Sequence, residues 1–284
     1  EGKPAQRGSS AMEGLRGRNA IVTGASRGVG VHIARALASE GVNLVLAARS
    51  ADRLADVAQE LRRMGVQAID VPADVTVAAD RATIVAAAEQ HFGRIDILVN
   101  NAAIIEWSRF EREDPEDISL IIETNLVAPL LLTRMILPEM VRRRSGHIVN
   151  HGSLAGRIAI PFEAVYDAST GGLQQWSTAI RQELAGTGVG VTSIVSSYVT
   201  GVGQAADHAV DAPRASGPVS PDRVAAAVIE AVRTDPAEII VRSIPTRPLL
   251  ALGELIPGFS ARVMKSMGIV RLHRGLADRR ERSF

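Results

Sequence analysis

Short apolar runs alternate with helix-length segments along most of the chain. The runs are continuous and rich in Val and Ile, which is typical of strands that are covered on both faces. They lie at Asn19–Thr23, Asn43–Ala48, Gln67–Val71, Ile95–Asn100, His147–Asn150, Val189–Val195 and Glu238–Val241. Helical patterns separate them at Gly28–Glu40, Ala51–Met64, Val77–His91, Glu116–Arg144, Tyr166–Ala185 and Asp222–Thr234. This alternation predicts an α/β fold, a doubly wound and mostly parallel sheet of about seven strands with helices on both faces.

The pattern contains no linker that would divide it, so we predict one domain over residues 18–242. Residues 1–17 are expected to be a flexible N-terminal arm or residues added ahead of a natural start at Met12. Thr200–Pro221 is rich in Gly, Pro and Ala and is expected to be a mobile loop. Residues 243–284, where prolines interrupt an apolar stretch, are predicted to be an extension that packs on the same domain.

The composition of the chain argues against a nucleic-acid-binding protein and against a membrane-spanning one. The 32 basic and 31 acidic residues nearly cancel, and the nine aromatic residues are too few for base-stacking platforms, so a nucleic-acid partner is not predicted. The late arginines, from Arg271 onward, are interpreted as a solvated face. No apolar stretch approaches the roughly 20 residues that span a bilayer, and no signal peptide is apparent. The absence of cysteine weakly favours the cytoplasm.

A glycine-rich turn, Thr23–Gly30, joins the first predicted strand to the first helix. Gly24 can adopt the backbone angles of a tight turn, Gly28 lets the chain approach a pyrophosphate, and Gly30 allows close helix–sheet contact. The N-terminus of the following helix offers unpaired N–H groups to phosphate oxygens. Placed between a strand and a helix, this turn predicts a dinucleotide site.

The motifs around this turn resemble those of the short-chain dehydrogenase/reductase family. Its TGxxxGxG turn is matched by the three glycines, its NNAG segment by Asn100–Ala103, and its acidic adenine contact by Asp74-Val75. The resemblance covers about Arg18 to Val241 and implies a Rossmann fold with a nicotinamide dinucleotide as cofactor. The cofactor-binding residues that it implies are Gly24, Ser26, Arg27, Gly28, Val29, Gly30, Arg49, Asp74, Val75, Asn101, Ala102, Ala103, Tyr166, Val199 and Thr200.

The end of the second strand bears on the choice between NADP and NAD. NAD-specific proteins carry an acid there that accepts hydrogen bonds from the ribose hydroxyls. This chain has Ala48 at that position, followed by Arg49, and Arg27 lies in the glycine turn. Two guanidinium groups can clamp a 2′-phosphate through charge-assisted hydrogen bonds, so we predict NADP in preference to NAD.

The resemblance also implies catalytic residues for hydride transfer between the nicotinamide and a carbonyl or alcohol. Ser153 lies 13 residues before Tyr166, which is the family's spacing for the serine that binds the substrate oxygen and the tyrosine that moves the proton. Asn125, in the long fourth helix, matches the family's asparagine.

The family's lysine, four residues after the tyrosine, is replaced by Thr170. One helical turn places position 170 on the same face as Tyr166, but threonine supplies no charge there. The only lysines are Lys3 and Lys265, and Arg181 is three turns further along the helix. We therefore predict that Tyr166 titrates near the ordinary tyrosine pKa of about 10. The family's Pro-Gly after the sixth strand is also missing, since Ser196-Ser197 precede Tyr198 here.

Two other kinds of site are set aside. A serine hydrolase needs glycines two residues on either side of its nucleophile, where Ser153 has His151 and Ala155. His147 and His151 lie on a predicted strand, where four residues span roughly 13 Å, so we predict no metal site.

Three functional hypotheses remain. The first, which we adopt, is an NADP-dependent oxidoreductase that acts on a hydrophobic ketone or alcohol, with turnover either retained, through threonine or water in place of the lysine, or impaired by its loss. The second is a cofactor-binding pseudoenzyme that serves as a redox-sensing or scaffolding partner, and the third is an enzyme that lost its lysine by engineering or recently. The predicted substrate walls are Thr200–Pro221, Ala103–Trp107 and Leu154–Phe162, with apolar residues Ile104, Ile105, Trp107, Ile158, Ile160 and Phe162.

The resemblance further implies a homodimer or homotetramer. Family members commonly assemble through the fourth and fifth helices, here Glu116–Arg144 and Tyr166–Ala185. The apolar run Leu126–Leu132 and the residues Leu173, Trp176 and Ile180 offer more apolar surface than one sheet face needs.

Overall fold

Seven parallel strands form one sheet at the centre of the protein, in the order β3-β2-β1-β4-β5-β6-β7. The computed structural model describes residues 10–12, 14–210, 212–243 and 257–281. The strands are β1 Asn19–Thr23, β2 Asn43–Ala48, β3 Ala68–Pro72, β4 Ile97–Asn100, β5 Gly146–Ser153, β6 Val189–Ser196 and β7 Glu238–Val241. Ala20 pairs with Leu44 of β2 on one side and with Ile97 of β4 on the other. The predicted fold class is therefore confirmed, and the order reverses between β1 and β4.

Helices cover both faces of this sheet. They are α1 Val29–Ser39, α2 Ala51–Arg63, α3 Ala78–Phe92, α4 Pro115–Ile122, α5 Ala128–Arg143, α6 Ala164–Glu183, α7 Gly203–Asp207, α8 Pro221–Thr234, α9 Pro257–Ser266 and α10 Ile269–Glu281. Successive residues of β1 point to opposite faces, so Val22 packs with α1, α2 and α8 while Ile21 packs with α3 and α5. Two buried faces explain why the strands are continuous apolar runs.

The long helix predicted at Glu116–Arg144 is interrupted. Asp114 caps α4 by accepting a hydrogen bond from Glu116 N, and a π-helical turn at Glu123–Val127 then separates α4 from α5. Such turns are often found at functional sites. Asn125 is the central residue of this turn.

This helical stretch, 115–143, is also long and apolar enough to cross a membrane by length and composition. The sequence prediction that no stretch approaches that length was therefore too strict. Of its most apolar window, 44% is buried inside the protein, as in the core helix of a globular domain, so it is weak evidence for a span.

The segment predicted as a loop at Thr200–Pro221 contains structure. It includes α7 and a 3-10 turn at Arg214–Ser216, and Thr200 N donates a hydrogen bond to Val219 O at 2.9 Å.

The C-terminal helices α9 and α10 return to the body of the protein. Arg109 forms an ion pair with Asp278 of α10 at 2.6 Å, and Arg280 contacts Asp117 of α4. Pro245 and Pro248 of the predicted extension, and most of the predicted N-terminal arm, lie outside the described residues.

Candidate active site

A cavity of about 690 Å³ opens at the carboxyl ends of the strands, beside the point where the strand order reverses. This is the edge at which open α/β sheets bind ligands. The cavity runs from Arg49 and Asp74, past the glycine turn, to Ser153 and Tyr166. The sequence-predicted residues that line it are Gly24, Ser26, Arg27, Gly28, Val29, Arg49, Asp74, Val75, Asn101, Ala102, Ala103, Ser153, Tyr166 and Val199.

The glycine turn has the backbone geometry that its sequence predicts. Gly24 has a φ of +67°, and a Cβ there would lie 2.9 Å from Ala102 Cα. Gly30 does not line the cavity; a Cβ at this position would lie 2.1 Å from Gly24 O, so glycine is required for close packing of α1 against the turn. Gly28 precedes α1 and provides no side-chain cap. The first N–H groups of α1 therefore face the cavity as phosphate donors, and the cradle fits a dinucleotide.

Charge at the adenine end is carried by Arg49, Asp74 and Arg27. Burial opposes ionisation of Asp74, but hydrogen bonds from Thr76 N and Oγ1, together with the charge of Arg49, hold the pKa of Asp74 below its ordinary value. Arg27 is engaged with Asp207 of α7, which ties the glycine turn to the segment after β6. Arg49 is thus the better placed of the two predicted phosphate ligands.

Asn101 joins three strand ends. Its Nδ2 donates to Thr23 O at 3.0 Å, and its Oδ1 lies 3.0 Å from His151 Nδ1. The other ring nitrogen of His151 lies 3.0 Å from Ser196 Oγ. Burial lowers the pKa of His151 to about 4, so the imidazole is neutral near pH 7. His151 lines the cavity and was not among the predicted site residues.

Ser153 and Tyr166 lie together, as their spacing predicts. Ser153 is the last residue of β5, and Tyr166 lies in the first turn of α6. Burial first, and then the charge of Glu163, raise the pKa of Tyr166 above its ordinary value, while a hydrogen bond with Ser153 opposes the shift. The sequence prediction of a near-ordinary pKa was therefore wrong, because it omitted burial and the neighbouring carboxylates.

Asn125, Thr170 and Thr200 do not line the cavity. The Asn125 side chain bonds the backbone N and O of Ile104, both at 2.8 Å, and donates to Ser169 Oγ at 3.0 Å. It therefore braces the segment after β4. Thr170 is buried, and its Oγ1 donates to Tyr166 O at 3.0 Å, so the hydroxyl is directed at its own helix. Thr200 Oγ1 donates to Val219 O at 3.2 Å.

The end of the cavity beside Ser153 and Tyr166 has mainly apolar walls. Five of the six apolar residues predicted for these walls line the cavity, and one does not. Ile104, Ile105, Trp107, Ile158 and Ile160 line the cavity as predicted. Phe162 does not; it has a φ of +74°, and its ring faces Arg274 in a separate cavity. The segment after β6 contributes Val202, Gly203, Gln204 and Ser216. Met264 of α9, Ile269 of α10 and Met267, which lies between these two helices, complete the wall.

Known proteins of one enzyme family are similar to this chain in sequence and in fold. The model of the short chain dehydrogenase family matches residues 18–209. The chain belongs to this family. It is 39% identical to the ketoacyl reductase HetN of Nostoc over 274 residues, 95% of this chain and 96% of that protein. It is also 33% identical over 239 residues to an uncharacterised oxidoreductase of Staphylococcus haemolyticus, covering 84% of this chain and all of the relative.

Two solved structures of the family share the fold. A metagenomic short-chain oxidoreductase in complex with NADP superposes with a TM-score of 0.70 at 31% identity, covering 84% of this chain and 100% of that one. A single-residue variant of the actinorhodin polyketide ketoreductase, solved with NADPH, has a TM-score of 0.74 at 28% identity, covering 82% and 98%.

Two carboxylates, those of Glu163 and Asp167, act on the tyrosine of this dehydrogenase. Glu163 lies in the cavity wall and is 4% exposed, and Asp167 follows one helical turn later. Burial, reinforced by the charge of Glu163, raises the pKa of Asp167 to about 8. Asp167 Oδ2 accepts a hydrogen bond from Ile160 N at 2.6 Å. The spacing of these two acids, one at the N-cap and one in the first turn of the tyrosine helix, is a sequence signal that could have located this pair.

Tyr198 and the α10 residue His273 complete the groups that sequence reasoning missed. Tyr198 lines the cavity, and its Oη lies 2.6 Å from His273 Nε2. His273 has no exposed surface although it lies among the arginines interpreted as a solvated face. Nothing local marks this histidine, since the residues that bury it come from distant parts of the chain.

Among the described residues, no group of three or more His, Cys, Asp or Glu side chains forms a metal site.

Proposed function

We propose that this protein is an NADP-dependent reductase that converts a hydrophobic ketone to an alcohol. The observation that supports this most is the single cavity that joins the uncapped N-terminus of α1 to the Ser153–Tyr166 pair. A cofactor and a carbonyl substrate held in this cavity would lie side by side. When bound, the nicotinamide supplies the hydride.

The protein's own groups would handle the proton and the oxygen. Ser153 would donate a hydrogen bond to the carbonyl oxygen, and Tyr166 would deliver its hydroxyl proton to that oxygen as negative charge develops. The raised pKa of Tyr166 keeps the phenol protonated near neutral pH. This state is suited to reduction, whereas alcohol oxidation needs the phenolate, which burial and Glu163 disfavour.

The preference for NADP rests on charge. Arg49 lies in the cavity wall next to Asp74, and Ala48 leaves no acid to repel a 2′-phosphate. The similar structures solved with NADP and NADPH support the same choice. The apolar walls favour a substrate with hydrocarbon on both sides of the carbonyl.

The test is NADPH oxidation with a panel of aliphatic ketones. We expect measurable turnover and a loss of at least about 100-fold in kcat for Tyr166→Phe, because general acid catalysis contributes about that much. A matched control is Tyr198→Phe, which removes the chain's other phenol from the same cavity.

One observation favours a second candidate, a cofactor-binding pseudoenzyme. Thr170 supplies no charge and does not reach the cavity, so Tyr166 has carboxylate neighbours where family members have a lysine. Tight NADPH binding without turnover of any ketone would support this candidate and contradict the reductase.

We also propose a homo-oligomer that buries the outer surface of α4 and α5. Leu120, Leu131 and Met135 are each about two-fifths exposed there. Large apolar side chains grouped on adjoining helices are typical of a surface that a second copy covers.

A further inference from the structure

Arg27 of the glycine turn is held by an acid on α7. Its guanidinium forms an ion pair with the carboxylate of Asp207, and the two side chains are 44% and 49% exposed. Arg27 lines the main cavity, whereas Asp207 does not. In the described part of the chain, Asp207 is the one acidic partner recorded for Arg27. The pair therefore holds the guanidinium at the rim of the cavity.

Other contacts keep α7 beside the glycine turn. A Cβ on Gly28 would lie 3.3 Å from Gly203 Cα, so the start of α7 lies directly against the turn. Gln204 Oε1 accepts a hydrogen bond from Ile105 N at 3.1 Å, which ties the same helix to the segment after β4. Because these contacts do not involve the ion pair, Asp207 stays near the turn when the pair is broken.

A 2′-phosphate on the cofactor and the Asp207 carboxylate would compete for one guanidinium. A phosphate monoester carries about 1.5 to 2 negative charges near pH 7, against one on a carboxylate, and accepts paired hydrogen bonds from arginine. An exposed ion pair is weak because water and salt screen it. Arg27 should therefore exchange Asp207 for the phosphate, with part of the binding free energy offset by the broken pair. The neutral ribose hydroxyl of NAD cannot drive this exchange.

We propose that Asp207 is a specificity-determining residue for the cofactor, because it competes with the 2′-phosphate of NADP for Arg27. Asp207 then lowers the affinity for NADP and leaves the affinity for NAD unchanged. NADP binding would also untie the glycine turn from α7, next to the cavity wall that Val202–Gln204 form. The inference rests on the proposed preference for NADP and not on turnover, so binding measurements alone test it.

The experiment is fluorescence titration of NADPH and NADH with the unaltered protein and Asp207→Asn. We expect Asp207→Asn to bind NADPH about 1.5- to 5-fold more tightly, which corresponds to the loss of one exposed ion pair, and to bind NADH as before. Asp207→Glu, which keeps the charge, is the matched control and should bind both cofactors like the unaltered protein. Arg27→Gln should weaken NADPH binding by about 5-fold or more, because a charge-assisted hydrogen bond is lost.

A double variant separates competition for Arg27 from a general effect of charge. In the Arg27→Gln background, Asp207→Asn should give no gain in NADPH affinity, because the group for which it competes is absent. Calorimetric titration with adenosine 2′,5′-bisphosphate and with AMP then assigns the effect to the 2′-phosphate. The bisphosphate should show the same gain for Asp207→Asn as NADPH does, and AMP should show none.

Unchanged NADPH affinity in Asp207→Asn, or equal gains for both cofactors, would overturn the proposal while leaving the preference for NADP intact. A gain that persists in the Arg27→Gln background would also overturn it, since the effect would not pass through Arg27. Weaker NADPH binding by Asp207→Asn would show that the acid orients Arg27 toward the phosphate, which is the opposite role. If the unaltered protein binds NADPH no more tightly than NADH, the NADP preference fails and this inference fails with it.

Discussion

Asp167 should make the folded protein less stable as the pH rises, and Asp167→Asn should remove that effect. The carboxyl is largely buried on α6, accepts a hydrogen bond from Ile160 N, and lies one turn from Glu163. Burial, with Glu163 as the next cause, raises its pKa to about 8. Asparagine has nearly the same shape and can keep the hydrogen bond from Ile160.

The magnitude follows from proton linkage. An unfolded aspartate titrates near pH 3.9, so between about pH 4 and about pH 8 the folded state holds one more proton than the unfolded state. The free energy of unfolding then falls by about 1.4 kcal/mol per pH unit, or about 4 kcal/mol between about pH 5 and about pH 8. The stabilising contribution is full below the unfolded pKa and is lost as the pH rises through the folded pKa. Between about pH 5 and about pH 8, the free energy of unfolding of Asp167→Asn should therefore rise by about 4 kcal/mol relative to that of the unaltered protein.

Urea unfolding followed by far-ultraviolet circular dichroism measures this difference at several pH values. Asp56→Asn, which changes an exposed carboxylate on α2, is the matched control and should track the unaltered protein. If the stability of Asp167→Asn runs parallel to that of the unaltered protein from about pH 5 to about pH 8, Asp167 is ionised in the fold and the reasoning fails.

Three further outcomes are expected. Arg49→Gln should weaken NADPH binding about 10-fold or more and NADH binding little, because a charge-assisted hydrogen bond to the 2′-phosphate is lost. Fluorescence titration with both cofactors measures this, and equal losses of affinity for the two would contradict it. Arg53→Gln, which changes an exposed arginine, is the control. Thr170→Lys should lower the pKa of Tyr166 by about one to three units and raise the rate of alcohol oxidation about 10-fold or more; an unchanged pH–rate profile would show that another group activates the tyrosine. The unaltered protein should be a dimer or tetramer by light scattering at micromolar concentration, and Leu131→Arg should dissociate it; a monomeric unaltered protein would refute the assembly.

Local pattern was sufficient for the sheet and the cofactor cradle. Each strand is a short run whose side chains are buried on both faces, so hydrophobicity alone marks it. The turn at Gly24–Gly30 is equally local, because its glycines are required by contacts with the turn itself and with Ala102. Ser153 and Tyr166 could be paired because their separation along the chain reflects one strand end and the helix that follows it.

Only the tertiary structure decided what surrounds the tyrosine. Position 170 could be identified from its spacing, but packing directs its hydroxyl at the backbone of α6, and packing raises the pKa of Tyr166. His273 meets Tyr198 and Glu163 across 75 and 110 positions of the chain, and no periodicity encodes such a contact. The hydrophobic pattern of a strand or helix indicates which of its own residues are buried. Which distant side chain shares its cavity depends on how whole helices pack, and this determines the chemistry of the substrate end.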